Sequence, residues 1–327
     1  MLAATDVKGV MAMMPAFTTP DGGSIHAKNT IATDNLAAGV DRIIRDGIGV
    51  LTTTGSFGEC HTLLLHEYQT IFDATVQAAR QRVPVFLGCT SLNTRETLLK
   101  MEMAQKAGGD GVLVGVPYYF GASVDNAVQF YFDIADEFPD LAIMIYHNPR
   151  NHNITIPVDA FRRLIEKPNI IAMKDSHREP MALMRLQEIT GGRVSVFTNQ
   201  MQLYPYMMLG TAGCWSIHAW LGPSPVVRAY RAAAAGDWVT AKQICMDMNS
   251  ATGGREGMGG GAGAEGVSTA LLKLAMNEAG YCHPGPARPP FRVLPAGAQD
   301  QAKDIARKWQ ALCDKYPLEA PVGAAAR

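Results

Sequence analysis

Apolar residues fall in eight short runs along the chain, at 10–16, 48–55, 83–90, 111–117, 141–149, 170–176, 194–199 and 212–219. Each run is continuous rather than alternating, which is the pattern of parallel strands covered on both faces. The segments between them carry helical spacing and capping signals. Residues 94–109 open T-R-E-T and end A-G-G, and 34–47 repeat the pattern. Eight strand-helix units in one succession predict a closed (β/α)8 barrel. A doubly wound open sheet would place a glycine-rich phosphate turn after its first strand. The first run here leads instead into M-P-A-F-T-T-P-D.

From residue 224 onward the pattern is helical, over 225–235, 237–250, 266–279 and 298–316. The chain is therefore read as a barrel over 1–235 and a helical extension packed on it over 236–327. Two stretches interrupt the helices. Residues 253–266 (GGREGMGGGAGAEG) are expected as a mobile loop; they follow no strand and lack G-K-[ST], so they are not read as a phosphate cradle. Residues 283–295 (HPGPARPPFRVLP) are excluded from helix by their prolines, and 322–327 read as a frayed tail.

Composition narrows the partners. With 29 Lys plus Arg against 30 Asp plus Glu, the chain has no net field for nucleic acid or an anionic membrane. At 327 residues and 47% hydrophobic it has ample material for a globular core, and a small-molecule partner is the expectation. Six scattered cysteines without a C-x-x-C pair read as reduced thiols, which points to the cytoplasm. No export signal and no apolar run of about 18 residues is seen.

In such a barrel the site lies at the C-terminal strand ends. The polar and aromatic candidates there are Ser56 and Phe57, Thr90, Tyr118 and Tyr119, Tyr146 and Asn148, Lys174, Asn199, and Trp215 with Ser216. Lys174 is the sharpest, because the period of two in I-I-A-M-K-D sets it on one face with Ile170 and Ala172. Burial lowers an amine's pKa, and a neutral amine attacks a carbonyl. The alternative is a lysine that reaches solvent or pairs with Asp175 or Glu59. Tyr146, on one face of the neighbouring run with Met144 and Asn148, supplies a phenol able to relay protons beside that amine. The small residues of G-S-F-G can turn backbone N–H groups toward an anion.

These motifs together resemble the dihydrodipicolinate synthase and N-acetylneuraminate lyase superfamily: G-S-F-G-E at 55–59, Y-x-N-P at 146–149, and Lys174 28 residues after Tyr146. The resemblance implies a Schiff base between Lys174 and pyruvate or a 2-oxo acid, proton transfer by Tyr146, and a carboxylate held at Ser56 and Phe57. It implies no cofactor. Phe57 departs from the adjacent hydroxyl pair usual in the synthases, and Trp215 from their aliphatic residue. With Tyr118 and Tyr119 these rings suggest an aromatic-lined pocket.

The chain is more similar to the branch of hydratase-aldolases acting on trans-o-hydroxybenzylidenepyruvate and trans-2'-carboxybenzalpyruvate. It shares G-x-F-G-E-C at 55–60, L-N-T-R-E at 92–96, V-Q-F-Y at 128–131, G-D-W at 236–238 and G-P-x-R-P-P at 285–290. This implies a lyase of aromatic hydrocarbon catabolism that hydrates an arylidene pyruvate and splits it to an aromatic aldehyde and pyruvate. Tyr146 and Asn148 would then orient the water, and the working form would be a homotetramer. Three other readings compete. One is a superfamily lyase or synthase for an aliphatic 2-oxo acid or sugar acid. Another is a metal-dependent hydrolase using His147, His177 and His218, although strand one has no H-x-H pair and strand eight no acid. The last is a non-catalytic pyruvate-binding barrel.

Overall fold

The structure is a computed structural model that describes residues 2–176, 178–252 and 264–318. Eight parallel strands follow one another around a closed barrel: β1 (Gly9–Met13), β2 (Val50–Thr52), β3 (Val85–Gly88), β4 (Gly111–Val114), β5 (Ala142–His147), β6 (Ile170–Asp175), β7 (Ser195–Asn199) and β8 (Gly213–Ser216). β8 pairs back onto β1, and every residue of β1 through β6 is buried. The continuous apolar runs have this cause: side chains pointing inward fill the barrel, and those pointing outward meet helices. The fold is a (β/α)8 TIM barrel with further helices at its C-terminal end, as the spacing predicts.

The helices are α1 (Thr33–Arg45), α2 (Leu65–Ala79), α3 (Thr94–Lys106), α4 (Val124–Glu137), α5 (Pro149–His152), α6 (Phe161–Leu164), α7 (Pro180–Thr190), α8 (Leu203–Met208), α9 (Ser224–Ala234), α10 (Trp238–Ala251), α11 (Ala264–Ala279) and α12 (Ala298–Lys315). Sequence signals set their limits. Asn93 caps α3 by accepting from the Glu96 N–H at 3.0 Å, and α1 buries Leu36, Val40, Ile43 and Ile44 on a single stripe. The glycine-rich stretch lies outside the described residues over 253–263, and 264–266 begin α11. The tail at 322–327 is also outside them.

One buried polar cluster ties the C-terminal segments to the strand-two turn. Lys273 of α11 has no solvent exposure, and its ammonium donates to Glu59 Oε2 at 2.7 Å, Thr18 Oγ1 at 2.8 Å, and the carbonyls of Ala16 (2.9 Å) and Pro286 (2.7 Å). Arg288 donates its backbone N–H to Glu59 Oε1 at 3.0 Å and Nη1 to Oε2 at 3.2 Å. Its Nε and Nη2 reach Thr30 Oγ1 (2.7 Å) and the Thr30 carbonyl (2.9 Å). Glu67 accepts from the Thr30 N–H at 2.8 Å and from its hydroxyl. Two cations thus face two carboxylates, with their hydrogen-bonding capacity well used, which is the condition under which buried charge is tolerated. Desolvation pulls the Lys273 ammonium down to about 8, with Glu59 acting in the opposite direction.

Removing one partner leaves the others buried and uncompensated. Lys273→Met should lower unfolding free energy by about 3 kcal/mol, and adding Glu59→Gln to it should recover part of the loss. Denaturant midpoints of the single and double variants test this; a Lys273→Met midpoint equal to wild type would contradict it.

Candidate active site

Lys174 and Tyr146 are register partners across β5 and β6. Lys174 is 4% exposed, and its ammonium lies 4.3 Å from the centre of the Tyr146 ring and 4.0 Å from that of Trp215. It also donates to Ser176 Oγ at 3.2 Å. The amine is therefore held against two aromatic faces at the C-terminal end of the barrel. Both carboxylates that could have paired with it in the sequence are engaged with other cations. Glu59 holds Lys273 and Arg288, and Asp175 holds Arg178 at 2.5 Å and the His147 ring at 3.0 Å.

The Tyr146 phenol is the junction of a polar chain. Its oxygen lies 3.0 Å from Ser56 Oγ and receives the Asn148 amide at 3.4 Å. Ser56 Oγ in turn accepts from the Asn151 amide at 3.1 Å. Below the phenol, His152 presents its ring edge to the Tyr146 ring at 4.8 Å and 89°, and donates from Nδ1 to the Tyr146 carbonyl at 3.0 Å. Gly115 makes room for it, since a Cβ there would lie 2.1 Å from His152 Cε1. Burial draws the His152 imidazole down to about 4, against the hydrogen bond to the Tyr146 carbonyl.

Trp215 is fixed by its indole N–H, which donates to the Asp175 carbonyl at 3.1 Å. Asp175 is itself immobilised from two sides. Burial would raise its carboxyl, but His147 and Arg178 outweigh that and hold it at about 2. The His147 Nε2 accepts from the Ile156 N–H at 3.1 Å, so its proton sits on Nδ1 and points at Asp175. Both ring nitrogens are thereby committed, and neither is available to a metal. His218 lies elsewhere, stacked on Trp309 at 5.1 Å, and His177 is outside the described residues. Among the described residues no three His, Cys, Asp or Glu side chains converge in a metal-binding arrangement.

The strand-end candidates divide into two sets. Ser56, Tyr146, Asn148, Lys174 and Trp215 come together through the contacts above. Phe57, buried, follows Ser56 on the same turn, and the half-buried Tyr118 faces the His152 ring at 6.2 Å. Burial lifts the Tyr118 phenol above its ordinary range. The other four candidates make different contacts. Thr90 Oγ1 accepts from the Gly115 N–H at 2.9 Å, and Asn199 caps the following turn by accepting from the Met201 N–H at 2.9 Å. Ser216 donates to Gln200 and accepts from the Ala219 N–H at 2.9 Å. Tyr119 is 73% exposed, with its ring against Phe120. Strand-end hydroxyls and amides have satisfied their own loops here, a use that strand position alone does not distinguish from binding.

Asn151 and His152 were not among the candidates. The signal that could have found them is the continuation of Y-H-N-P into R-N-H-N: proline starts α5 at once, so Asn151 and His152 lie one turn beyond the strand end.

The profile of the dihydrodipicolinate synthetase family matches residues 10–309. The chain belongs to that family. It is similar to the trans-O-hydroxybenzylidenepyruvate hydratase-aldolase of Pseudomonas putida, 30% identical over 322 residues, with 96% of each chain covered. The trans-2'-carboxybenzalpyruvate hydratase-aldolase of Nocardioides sp. (strain KP7) is 27% identical over 323 residues, again covering 96% of each. A solved structure of PhdJ bound to a substrate intermediate superposes with a TM-score of 0.88 at 29% identity, covering 96% of this chain and 99% of that one. A member of this family with such relatives is an enzyme, and a lyase. Among the described residues no helix is long and apolar enough to cross a membrane.

Two buried histidines should make the fold of this family member acid-sensitive. Burial takes both His152 and His218 from 6.5 to about 4. In the unfolded chain they bind protons below about 6.5, and in the native chain only below about 4, so stability rises with pH across that interval. Stability should be fully present above pH 6.5 and fall by on the order of 3 kcal/mol per histidine as pH drops to 4. Chemical denaturation at pH 7.5 and pH 5 measures the loss. His218→Phe, which keeps the stacking on Trp309, should make the slope shallower; an unchanged slope would remove His218 from the account.

Proposed function

We propose that this lyase is a class I hydratase-aldolase in which Lys174 forms a Schiff base with an ortho-substituted benzylidenepyruvate, adds water to it, and cleaves it to an aromatic aldehyde and pyruvate. The observation that carries the reading is the buried Lys174 amine set between the Tyr146 and Trp215 rings, with the Tyr146 phenol hydrogen-bonded to Ser56 and Asn148. The names of the relatives support the same reaction class.

In this mechanism the Lys174 nitrogen attacks the C2 ketone, and the carbonyl oxygen leaves as water. The iminium formed is conjugated through C3 and C4 to the ring. Water adds its oxygen to C4, next to the ring, and a proton goes to C3. Tyr146, having given its phenolic proton to the departing carbonyl oxygen, is left as a phenolate; it and Asn148 orient the added water, and the phenolate oxygen then takes the proton from the C4 hydroxyl. The C3–C4 bond breaks, its electrons pass to the iminium nitrogen, and the aromatic aldehyde departs. Protonation of the enamine at C3 and hydrolysis release pyruvate and return the amine. The iminium is the electron sink, so the chemistry needs no metal or organic cofactor.

The ring of the substrate would lie among Phe57, Tyr118 and Trp215, and its carboxylate on the Ser56–Phe57 backbone. Phe57 supplies an apolar face where a second hydroxyl would favour a small polar substrate. The resemblance also supports a cytoplasmic homo-oligomer as the working form.

Borohydride reduction in the presence of pyruvate, followed by peptide mass mapping, should give a pyruvyl adduct on Lys174 and none in Lys174→Ala. Absence of the adduct in the wild-type protein would sink the Schiff-base reading. Tyr146→Phe should keep the adduct but lose about a hundredfold or more in turnover, the usual scale of acid-base catalysis. The conjugated ultraviolet band of o-hydroxybenzylidenepyruvate and o-carboxybenzylidenepyruvate, offered separately, identifies the ring substituent. Cleavage of an aliphatic 2-oxo acid and of neither arylidene compound would overturn the substrate class.

A further inference from the structure

We propose that Asn151 is a positioning residue that sets the direction of the hydrogen-bond chain into Tyr146, so that the Ser56 hydroxyl is aimed at the phenol oxygen as a donor. The proposal rests on the role given above to Tyr146. An amide nitrogen donates and cannot accept. Asn151 Nδ2 lies 3.1 Å from Ser56 Oγ, and that contact therefore occupies a lone pair of the serine. The Tyr146 oxygen stands 3.0 Å from the same Ser56 Oγ, and once Tyr146 is a phenolate it has no proton to give, so Ser56 is the donor to its oxygen. Asn148 Nδ2 approaches the same oxygen from β5 at 3.4 Å. Two donors then converge on the phenol oxygen, one of them polarised from behind by a third. This arrangement stabilises a phenolate more than a phenol.

The consequence is chemical. Retro-aldol cleavage requires Tyr146 to accept the proton of the C4 hydroxyl, and in that step its oxygen must carry negative charge. Lys174 from β6 faces the Tyr146 ring at 4.3 Å, and His152 from α5 meets it at 4.8 Å, with Tyr118 beyond His152 at 6.2 Å. While Tyr146 carries that charge Lys174 is bound up as the substrate iminium, and His152 is held neutral at ordinary pH by burial. The Ser56 and Asn148 donors hydrogen-bond the phenolate oxygen itself. Asn151 acts on the phenol through Ser56.

Asn151→Asp is the sharpest test, because it keeps the size of the side chain while replacing the donor with an acceptor that draws the Ser56 proton away from Tyr146. Asn151→Ala removes the donor alone. Turnover should fall about tenfold in Asn151→Ala, the scale of one hydrogen bond, and further in Asn151→Asp, with KM changed less than kcat. The basic group that governs the pH profile should rise by about one unit in the aspartate variant. In a double-mutant cycle Asn151→Ala should cost little once Ser56→Ala is present, since the two act in series. Additive losses, or an aspartate variant with the wild-type profile, would overturn the proposal. Trapping of the pyruvyl adduct on Lys174 should be retained in every variant, which separates this result from failure of the Schiff-base reading. Ionisation of Tyr146 in the resting protein, followed by NMR of ring-labelled tyrosine and assigned with Tyr146→Phe, needs no substrate: it should shift upward in Asn151→Asp, and an unmoved titration would reject the proposal.

Discussion

The Glu59 carboxylate, buried between Lys273 and Arg288, is the constraint on which the geometry of the site depends. Glu59 ends the turn that carries Ser56 and Phe57, and its backbone is left-handed, with φ of 52°. Thr54, just ahead of the same turn, has φ of 41°. Neither residue is glycine, so each conformation costs on the order of 1 kcal/mol and persists because its surroundings over-determine it. For Glu59 those surroundings are visible: one carboxylate oxygen meets Lys273, and both meet Arg288 through its backbone and side chain. The C-terminal segments thus bear on the site through Glu59, which ends the turn carrying Ser56 and Phe57.

A second consequence concerns Lys174 itself. Glu59 and Asp175 are both engaged elsewhere, Glu59 with Lys273 and Arg288 and Asp175 with Arg178 and His147. The neighbours of Lys174 include two ring faces and a serine hydroxyl. Rings favour a cation only modestly, by about 1 kcal/mol. The Asp175 contacts with Arg178 and His147 bear on the same group from the other side, because the Asp175 carbonyl holds the Trp215 indole that forms one of those faces.

The barrel was legible because parallel strands buried on both faces leave continuous apolar runs, and these eight did so. The Lys174–Tyr146 pair was legible because a period of two determines which side chains share a face, and a neighbouring strand brings the two faces together. The polar clamp was not legible. Lys273 and Arg288 lie 214 and 229 residues from Glu59, and no local periodicity reports a contact across that separation. Thr90, Asn199 and Ser216 sit at strand ends as ligand-binding residues would, and each also accepts from a loop N–H there, a contact that strand position alone does not announce.

The replacement of one hydroxyl by Phe57 bears on how the remaining polar groups must work. A site with two adjacent hydroxyls can pass a proton along either of them. Here Ser56 alone keeps a hydroxyl at the turn, and its far neighbour in the chain of contacts is the Asn151 amide, which does not exchange protons at catalytic rates. In the proposed mechanism this run of contacts orients Ser56 and stabilises charge on Tyr146, and Phe57 adds no hydroxyl through which a proton could be passed on.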